Sequence, residues 1–328
     1  MPGEQHFWTG GYTSNMDGTA TGIGIARSRA DGGFEFVGTA VGASSPSFLA
    51  NGLVEGILYA ADEANGRVEA FRRGGLELVP LEGQPVSGVS PCHLSVTPDR
   101  LYVSNYGDGS VDVFPLGSTG AIGPLAQSLR GTGEGPHPAQ EGSHAHSTLV
   151  VGETVLSADL GADRVYVHHR ADGGLERTGF GEFPPGSGPR DLLAANGRIY
   201  LLGELSGAIF LIDGNATVLA QGAAVADWAD GDHAAALAID ASGRFLYTGL
   251  RGSNRVAIVR VDDLSPLASI PTGGDWPRHL WVSGDMLYVA NQLSSTVTSF
   301  RIDAATGIPQ PIATPEHVPS PTYILPVR

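Results

Sequence analysis

The stretch SPCHLSVTPDRLYVSNYGDGSVDVF, residues 90–114, contains the pattern that decides the fold. It reads as a short apolar strand, a tight polar turn, a Leu-Tyr-Val strand, a polar loop and a Val-x-Val strand. Related copies occupy residues 45–71, 144–167, 188–212, 232–259 and 276–300. The second residue of the middle strand recurs every 41 to 54 residues, by subtraction along Tyr59, Tyr102, Leu156, Tyr200, Tyr247 and Tyr288. Such a period, with several strands per unit, is typical of β-propeller blades.

The two ends of the chain share a seventh unit. Residues 6–28, HFWTGGYTSNMDGTATGIGIARS, supply a middle strand and the strands that follow it, with Trp8 near the position of the repeated tyrosine. Residues 318–327, VPSPTYILPV, supply the opening strand that this unit lacks. Pairing the two ends closes the ring and removes the long unpaired sheet edge of an open array. We therefore predict an all-β, seven-bladed β-propeller whose ring is closed by its N- and C-terminal strands, with residues 1–328 as a single domain.

The composition fits many short strands and excludes several classes of function. The chain of 328 residues has 47 Gly and 22 Pro, which suit tight turns, and no window shows sustained helical periodicity. Its net charge is −15, and its 19 basic residues, all Arg, form no cluster that would bind a nucleic-acid backbone. Because there is no lysine, Schiff-base chemistry is excluded, and an anionic ligand must be held by guanidinium groups, imidazoles or backbone N–H groups.

The sequence carries no targeting or disulfide signal. Neither the N-terminal residues MPGEQHFWTGG nor any other segment has an apolar stretch of signal-peptide or transmembrane length, so we expect a cytoplasmic protein with no membrane partner. The single cysteine, Cys92, cannot form an internal disulfide and is expected to be a small packed residue. We also expect a monomer that needs no cofactor.

Propeller geometry selects where a ligand would bind. The first strand of each blade lines the central channel and successive strands run antiparallel, so first-strand starts and second-strand ends share one face of the disc. The first-strand starts offer Phe48, His93, His144, His146, Arg190, Asp191, His233, Arg278 and His279. The second-strand ends offer Glu63, Asn105, Tyr106, Asp159, Glu204, Arg251, Asn291 and Gln292. Five of the 10 histidines lie at these starts, so this acidic protein is expected to bind a small anion at its channel mouth.

Two pairs of histidines have separate interpretations. His144 and His146 lie two residues apart on a strand, so we expect them to share a face, where a His-x-His metal pair is conceivable. Two ligands do not make a site and no carboxylate spacing matches them, so we predict no bound metal. His168 and His169 lie late in a blade, on an outer strand, and are interpreted as surface residues.

Several short motifs, taken in order, resemble one propeller family. They are WTGGYTS at residues 8–14, HAHS at 144–147, GSGPR at 186–190, GELS at 203–206 and ANQLSSTVTSFRIDAATG at 290–307. Together they resemble the seven-bladed propeller lactonase family, whose named activity is 6-phosphogluconolactonase. The resemblance covers essentially the whole chain and implies an enzyme that opens a small anionic lactone.

The resemblance also implies a set of catalytic residues. A related branch of the family includes fungal carboxymuconate lactonizing enzymes, for which a His, a Glu and two Arg have been proposed as the active site. Matched motif by motif, these residues correspond to His146, Glu204, Arg190 and Arg251. The chain departs from the family at Ala236 and Ala238, where many members carry an acidic residue and a His, and at Asp191, where His is frequent.

Opening a sugar lactone requires a water made nucleophilic and a cationic group near the carbonyl oxygen. His146 is the expected general base, and Glu204 is expected to orient it or to share its role. Arg190 and Arg251 are expected to stabilise the oxyanion or to hold a phosphate. The predicted reaction is hydrolysis of 6-phosphogluconolactone to 6-phosphogluconate, with substrate-binding roles for His93, His144, Arg278, His279 and Gln292.

Three other functions stay open at this point. A cycloisomerase of the muconate type would use the same residue types on an acidic diene. A YVTN-like binding propeller would fit the segments LYVSN at 101–105 and LYVAN at 287–291, although such proteins are typically exported. A metal-dependent propeller lactonase would be sensitive to chelators.

Overall fold

The strands of the molecule form seven antiparallel sheets. The computed structural model describes residues 4–328, which fold into thirty β-strands and one short 3₁₀ turn, Ser14–Met16. Residues 1–3, with which the predicted single domain begins, lie outside the described residues. None of the helical structure in residues 4–328 is long and apolar enough to cross a membrane.

Each sheet is one blade, and the strands are numbered here in chain order. The first blade joins the two ends of the chain and contains β1 (His6–Gly11), β2 (Gly22–Ser28), β3 (Phe34–Gly42) and the last strand, β30 (Pro321–Pro326). The second blade contains β4 (Pro46–Asn51), β5 (Ile57–Asp62), β6 (Arg67–Gly74), β7 (Glu77–Pro80) and β8 (Gln84–Pro85). The third contains β9 (Pro91–Val96), β10 (Arg100–Asn105), β11 (Ser110–Pro115) and β12 (Gln127–Arg130).

The remaining four blades follow without interruption. The fourth contains β13 (Ala145–Val151), β14 (Thr154–Asp159), β15 (Arg164–Ala171) and β16 (Gly174–Glu182). The fifth contains β17 (Pro189–Ala195), β18 (Arg198–Gly203), β19 (Ala208–Ile212) and β20 (Val218–Ala223), and the sixth β21 (His233–Ile239), β22 (Phe245–Arg251), β23 (Arg255–Arg260) and β24 (Pro266–Pro271). The seventh contains β25 (Pro277–Ser283), β26 (Met286–Asn291), β27 (Thr296–Ile302), β28 (Pro309–Pro311) and β29 (Glu316–His317).

The innermost strands close a ring. Each contacts the innermost strand of the next blade, in the cyclic order β30, β4, β9, β13, β17, β21, β25 and back to β30. Closure depends on the first blade, where β30 pairs antiparallel with β1 and Trp8 lies opposite Leu325. The structure therefore confirms the predicted all-β propeller of seven blades and its closure by the two chain ends.

The hydrophobic core lies between adjacent blades. Within residues 4–328 there are seven clusters of buried apolar side chains, one at each junction between blades. The residue that recurs in the middle strand contributes the largest side chains to these clusters. Six of these side chains are fully buried aromatic ones: Trp8, Tyr59, Tyr102, Tyr200, Tyr247 and Tyr288. The sequence period thus reflects one large apolar side chain per junction, aromatic in six blades and Leu156 in the fourth, which buries apolar area against the next blade.

Three of these tyrosines also hydrogen-bond across the junction. The Tyr59 and Tyr247 hydroxyls donate to the carbonyl oxygens of Gly120 and Gly307 at 2.8 Å, and the Tyr288 hydroxyl donates to that of Gly32 at 3.1 Å. Each acceptor glycine follows the third strand of the next blade and has a positive φ, between 73° and 90°. By contrast, the buried Tyr200 hydroxyl has no partner within residues 4–328.

One sequence interpretation of an outer strand is wrong. His168 on β15 is fully buried, and its Nε2 lies 2.9 Å from the Ser157 hydroxyl of the neighbouring strand β14. His169, the next residue, is exposed as expected. The two histidines face opposite ways because side chains alternate along a strand, and the face with His168 also carries Tyr166, whose hydroxyl donates to the Thr132 carbonyl that follows the third blade.

The tyrosine-to-glycine bond gives a test of blade packing. Tyr247→Phe leaves the buried Gly307 carbonyl without its donor, so we expect the free energy of unfolding to fall by about 1 kcal/mol. Tyr200→Phe is the matched control, because it removes a hydroxyl that has no partner, and it should be neutral or slightly stabilising. Urea unfolding followed by tryptophan fluorescence measures both variants. Equal losses would show that the hydroxyl of Tyr247 does not stabilise the junction.

Candidate active site

Every innermost strand begins with a one-residue β-bulge. In β17, for example, Pro189 pairs with Gly203 and Asp191 pairs with Leu202, so Arg190 has no opposite residue. The same shift occurs in the other six blades. The bulged residues are Ser47, Cys92, His146, Arg190, Ala236, Arg278 and Thr322, and all seven line one central cavity of about 400 Å³. A bulge re-aims a side chain, and here it places three of the expected site residues, His146, Arg190 and Arg278, in the channel wall.

A buried carboxylate joins the two expected catalytic arginines. Glu204 follows β18, and its Oε2 accepts a hydrogen bond from Nη1 of Arg190. Its Oε1 lies 2.8 Å from Nη2 of Arg251, the last residue of β22, and 3.2 Å from Nδ1 of His233, the first residue of β21. Arg251 also lies over the ring of Trp276, with Cζ 5.5 Å from the ring centre. The structure therefore brings Arg190, Glu204 and Arg251 together and adds His233 to them.

The charge state of Glu204 follows from these contacts. Burial alone would raise the pKa of Glu204, but the guanidinium groups of Arg251 and Arg190 hold that pKa well below its usual range. An ionised carboxylate with both oxygens occupied is a poor proton acceptor. No hydrogen bond joins Glu204 to His146 among the described residues, so its contacts fit a residue that positions the arginines and His233 rather than one that shares the role of base.

His146 is an isolated neutral imidazole in the channel wall. Its ring meets the edge of Tyr106, with ring centres 5.9 Å apart, and its backbone carbonyl accepts a weak hydrogen bond from the Cys92 thiol at 3.5 Å. Burial, together with the nearby Arg190 guanidinium, lowers the pKa of His146 well below its usual range. The imidazole is therefore unprotonated at physiological pH. Cys92 is buried as expected.

His144 has a different environment from His146. Its ring stacks on Tyr106, with centres 4.5 Å apart and planes at 13°, and its Nδ1 lies 2.7 Å from the backbone carbonyl oxygen of Tyr106. His144 does not line the central cavity. The expectation that His144 and His146 share a face is wrong, because the bulge at His146 interrupts the alternation of side chains along β13.

Arg278 is held by a second polar network at the channel mouth. Its Nη2 donates to the hydroxyl of Tyr12 at 2.6 Å, and its Nη1 donates to Oε1 of Gln292 at 3.2 Å. The Tyr12 hydroxyl in turn donates to the Glu63 carboxylate, with both oxygens 3.0 Å away. No carboxylate pairs directly with Arg278 within residues 4–328, so it keeps a positive charge available to a ligand.

Tyr12, which sequence reasoning missed, shares a register position with four residues that it had named. The backbone N–H groups of Tyr12, Glu63, Tyr106, Glu204 and Gln292 each donate to the carbonyl of the residue before an innermost strand. Tyr12 was not among the expected site residues, and His233 was noted at a strand start without a role. Aligning the residue after each second strand would have added Tyr12 to the set.

The other expected residues lie along the channel wall. His93 and His279 each follow a bulge and line the cavity. Burial lowers the pKa of each to about 3. Ala236, Ala238 and Asp191, the departures from the family pattern, line the same cavity. Within residues 4–328, no group of three or more His, Cys, Asp or Glu side chains is arranged to hold a metal ion.

The chain is similar to lactonases in sequence and in structure. The family model described as "Lactonase, 7-bladed beta-propeller" matches residues 6–326. A 6-phosphogluconolactonase of Bacillus subtilis is 30% identical over 285 residues, which cover 80% of this chain and 82% of that protein. A 6-phosphogluconolactonase of Formosa agariphila is 31% identical over 272 residues, 75% of this chain and 76% of that protein.

A solved structure extends the similarity over almost the whole chain. The periplasmic gluconolactonase of Pseudomonas aeruginosa superposes with a TM-score of 0.91 at 28% sequence identity. The match covers 99% of this chain and 99% of that one. The blade arrangement therefore has a counterpart in a protein described as a gluconolactonase.

Replacing Glu204 tests whether it holds the arginine cluster together. Glu204→Gln keeps the size of the side chain but leaves Arg190 and Arg251 buried without a counter-charge, so we expect the free energy of unfolding to fall by about 3 kcal/mol or more. Glu182→Gln is the control, because it breaks only the exposed pair with Arg164 and should change stability little. Urea unfolding followed by circular dichroism measures both. A loss no larger than that of the control would contradict the structural role of Glu204.

Proposed function

The chain belongs to the family of seven-bladed β-propeller lactonases, and on that basis we propose that it hydrolyses a sugar-acid lactone, 6-phosphogluconolactone above all. One observation carries the proposal. Glu204 bridges Arg190 and Arg251 at the mouth of a channel whose wall also presents the neutral His146. A cationic pair fixed in place beside a neutral imidazole is the combination that lactone hydrolysis requires.

The proposed reaction begins with attack of water on the lactone carbonyl. As the bond between the water oxygen and the carbonyl carbon forms, His146 takes a proton from the water, and the carbonyl oxygen becomes an oxyanion. Arg190 and Arg251 stabilise that oxyanion, and because Glu204 already fixes both guanidinium groups, little reorganisation is needed. The intermediate collapses by breaking the bond to the ring oxygen, which takes the proton back from His146 and becomes the hydroxyl of the open acid.

Arg278 supplies a further positive charge for an anionic substrate. The three guanidinium groups at the mouth have Glu204 as their only directly paired carboxylate among the described residues, so the site favours an anion in spite of the protein's net charge of −15. A phosphate, a carboxylate or the oxyanion itself would be attracted there. The bound product, a sugar acid, would carry its new carboxylate into the same group of arginines.

His233 is the other imidazole to consider as base. Its Nδ1 contacts Glu204, which leaves Nε2 to accept a proton, as in a carboxylate–histidine pair. We assign it a positioning role, because its Nδ1 contacts the carboxylate that holds both arginines, whereas the ring of His146 lines the cavity without a carboxylate contact. His146→Asn should then lower kcat strongly, whereas His233→Asn should act mainly through KM by loosening the arginines. The opposite result would make His233 the base.

Two expectations about the whole protein stay predictions. A cytoplasmic location rests on sequence alone, and one structural relative is described as periplasmic. A monomeric state likewise awaits measurement of the mass in solution. The cycloisomerase alternative uses the same residues and would appear as consumption of a muconate-type diacid without lactone hydrolysis.

Substrate preference tests the proposed activity directly. We expect 6-phosphogluconolactone and glucono-1,5-lactone to be hydrolysed above the spontaneous rate, with no loss of rate in EDTA. Arg190→Gln should reduce kcat/KM by about 100-fold, because one donor to the developing oxyanion is lost. Arg301→Gln, on the exposed part of β27, is the control. A pH-stat assay measures the rates, and unaltered turnover by Arg190→Gln would remove the arginine from the mechanism.

The pH profile should reveal the perturbed base. Because the pKa of His146 lies well below its usual range, this imidazole stays unprotonated as the pH falls through about 6.5, where a histidine in water is half protonated. We therefore expect kcat/KM to remain constant from about pH 7.5 to about pH 6 and to fall only in more acidic solution. Initial rates corrected for spontaneous opening measure this. A half-maximal rate near pH 6.5 would contradict His146 as the base.

A further inference from the structure

An arc of four rings, each tilted against the next by 37° to 45°, lines the channel beneath its mouth. The rings of His93, Phe48, Tyr323 and His279 come from the third, second, first and seventh blades, and consecutive centres lie 4.3, 4.1 and 3.9 Å apart. Each is the residue that follows the bulge of its innermost strand. All four line the central cavity, so their edges and faces are available to a ligand that enters it.

Backbone hydrogen bonds fix the tautomer of the two histidines in the arc. Nδ1 of His93 accepts the backbone N–H of Thr148 at 3.3 Å, and Nδ1 of His279 accepts that of Ile324 at 3.2 Å. Burial keeps both rings neutral, with a pKa of about 3 for each. A neutral imidazole that accepts at Nδ1 carries its hydrogen on Nε2. Each Nε2–H is therefore a donor, and neither has a protein partner among the described residues.

The opposite wall supplies an acceptor. Asp191 follows the bulge of β17, at the same register position as the four rings, and its Oδ2 accepts the backbone N–H of Leu237 at 2.7 Å. Its other oxygen accepts no side-chain hydrogen bond in the described part of the chain. Beside it, Ala236 and Ala238 of β21 present only methyl groups to the cavity. The wall thus combines one carboxylate oxygen with space left by small side chains.

We propose that this part of the channel is a subsite that binds the hydroxyl groups of a sugar-acid lactone. The Nε2–H donors of His93 and His279 contact hydroxyl oxygens, Asp191 accepts from a hydroxyl hydrogen, and the faces of Phe48 and Tyr323 pack against C–H groups. Charged groups of the substrate remain at the mouth, where the guanidinium groups lie. The inference rests on the proposed function, because it assigns a substrate class to the same site.

The observations favour a polyhydroxylated ligand over a purely apolar one. A purely apolar ligand would leave two N–H donors and a carboxylate oxygen desolvated without partners, which is costly. A ligand with several hydroxyl groups satisfies donors and acceptor together, since each hydroxyl both donates and accepts. Discrimination by buried polar groups of this kind is strong, because a ligand that lacks the hydroxyl leaves them unpaired.

Paired substitutions of one histidine test the subsite. Asn places an oxygen where His has Nδ1 and removes the Nε2–H donor, whereas Gln places an N–H near the position of Nε2. The probes are glucono-1,5-lactone and δ-valerolactone, which has the same ring without hydroxyl groups. We expect His93→Asn and His279→Asn to lower the ratio of kcat/KM between these lactones about fivefold to tenfold, and the Gln variants to retain most of it.

The outcomes separate the subsite from the proposed function. If the Asn variants lower turnover of both lactones equally, or of neither, the subsite is wrong although the enzyme is a lactonase. If the wild-type protein hydrolyses neither lactone, calorimetric titration with D-gluconate decides about the subsite, and the proposed function fails only if 6-phosphogluconolactone is not hydrolysed either. Weaker D-gluconate binding by His93→Asn than by His93→Gln would then support it. Equal binding by both variants, or no binding by the wild-type protein, would overturn it.

Discussion

The β-bulge at the start of every innermost strand is the constraint on which the site depends. The residue before the strand adopts a positive φ at Ser45, Ser90, Gly188, Trp276 and Ser320, and the bulge follows two residues later. A regular strand would alternate its side chains between the channel and its sides. The bulge adds one residue, so two consecutive side chains of a blade can contribute to the channel wall. In the fifth and seventh blades those pairs are Arg190 with Asp191 and Arg278 with His279.

A buried cluster of charges is expensive in stability, and the fold offsets that cost elsewhere. Glu204, Arg190 and Arg251 are each less than a tenth exposed, so their desolvation is repaid only through mutual contacts of good geometry. None of the apolar clusters between the blades includes these three residues. The apolar burial between neighbouring sheets therefore offsets the cost of holding charged groups in the channel.

The fold was predictable from sequence because one large apolar side chain marks each blade. This residue, tyrosine in five of the seven blades, is fully buried at a junction, so its spacing indicates the architecture directly, and the split first blade follows from the missing strand. The meeting of Arg190, Glu204 and Arg251 was also predictable, since strand starts and ends share one face. The hydrogen-bond partners of each side chain in the site were not predictable from the sequence. Tyr12 and Arg278 are 266 positions apart in sequence, and only the closed ring brings their side chains together.

The failures at His144 and His168 have local causes. Period-two alternation holds only for a regular strand, and the bulge at His146 ends the regularity at the residues that matter for the site. For His168, the exposure of an outer strand depends on how its sheet packs, which one sequence does not reveal. The channel illustrates the same limit. The seven equivalent bulges carry six different types of side chain, with Arg in two of them, and Ala236 and Ala238 of the sixth blade present only methyl groups to the cavity. The seven blades have equivalent positions in the channel wall but carry different side chains there. Substrate specificity therefore depends on all seven blades together and not on any one sequence motif.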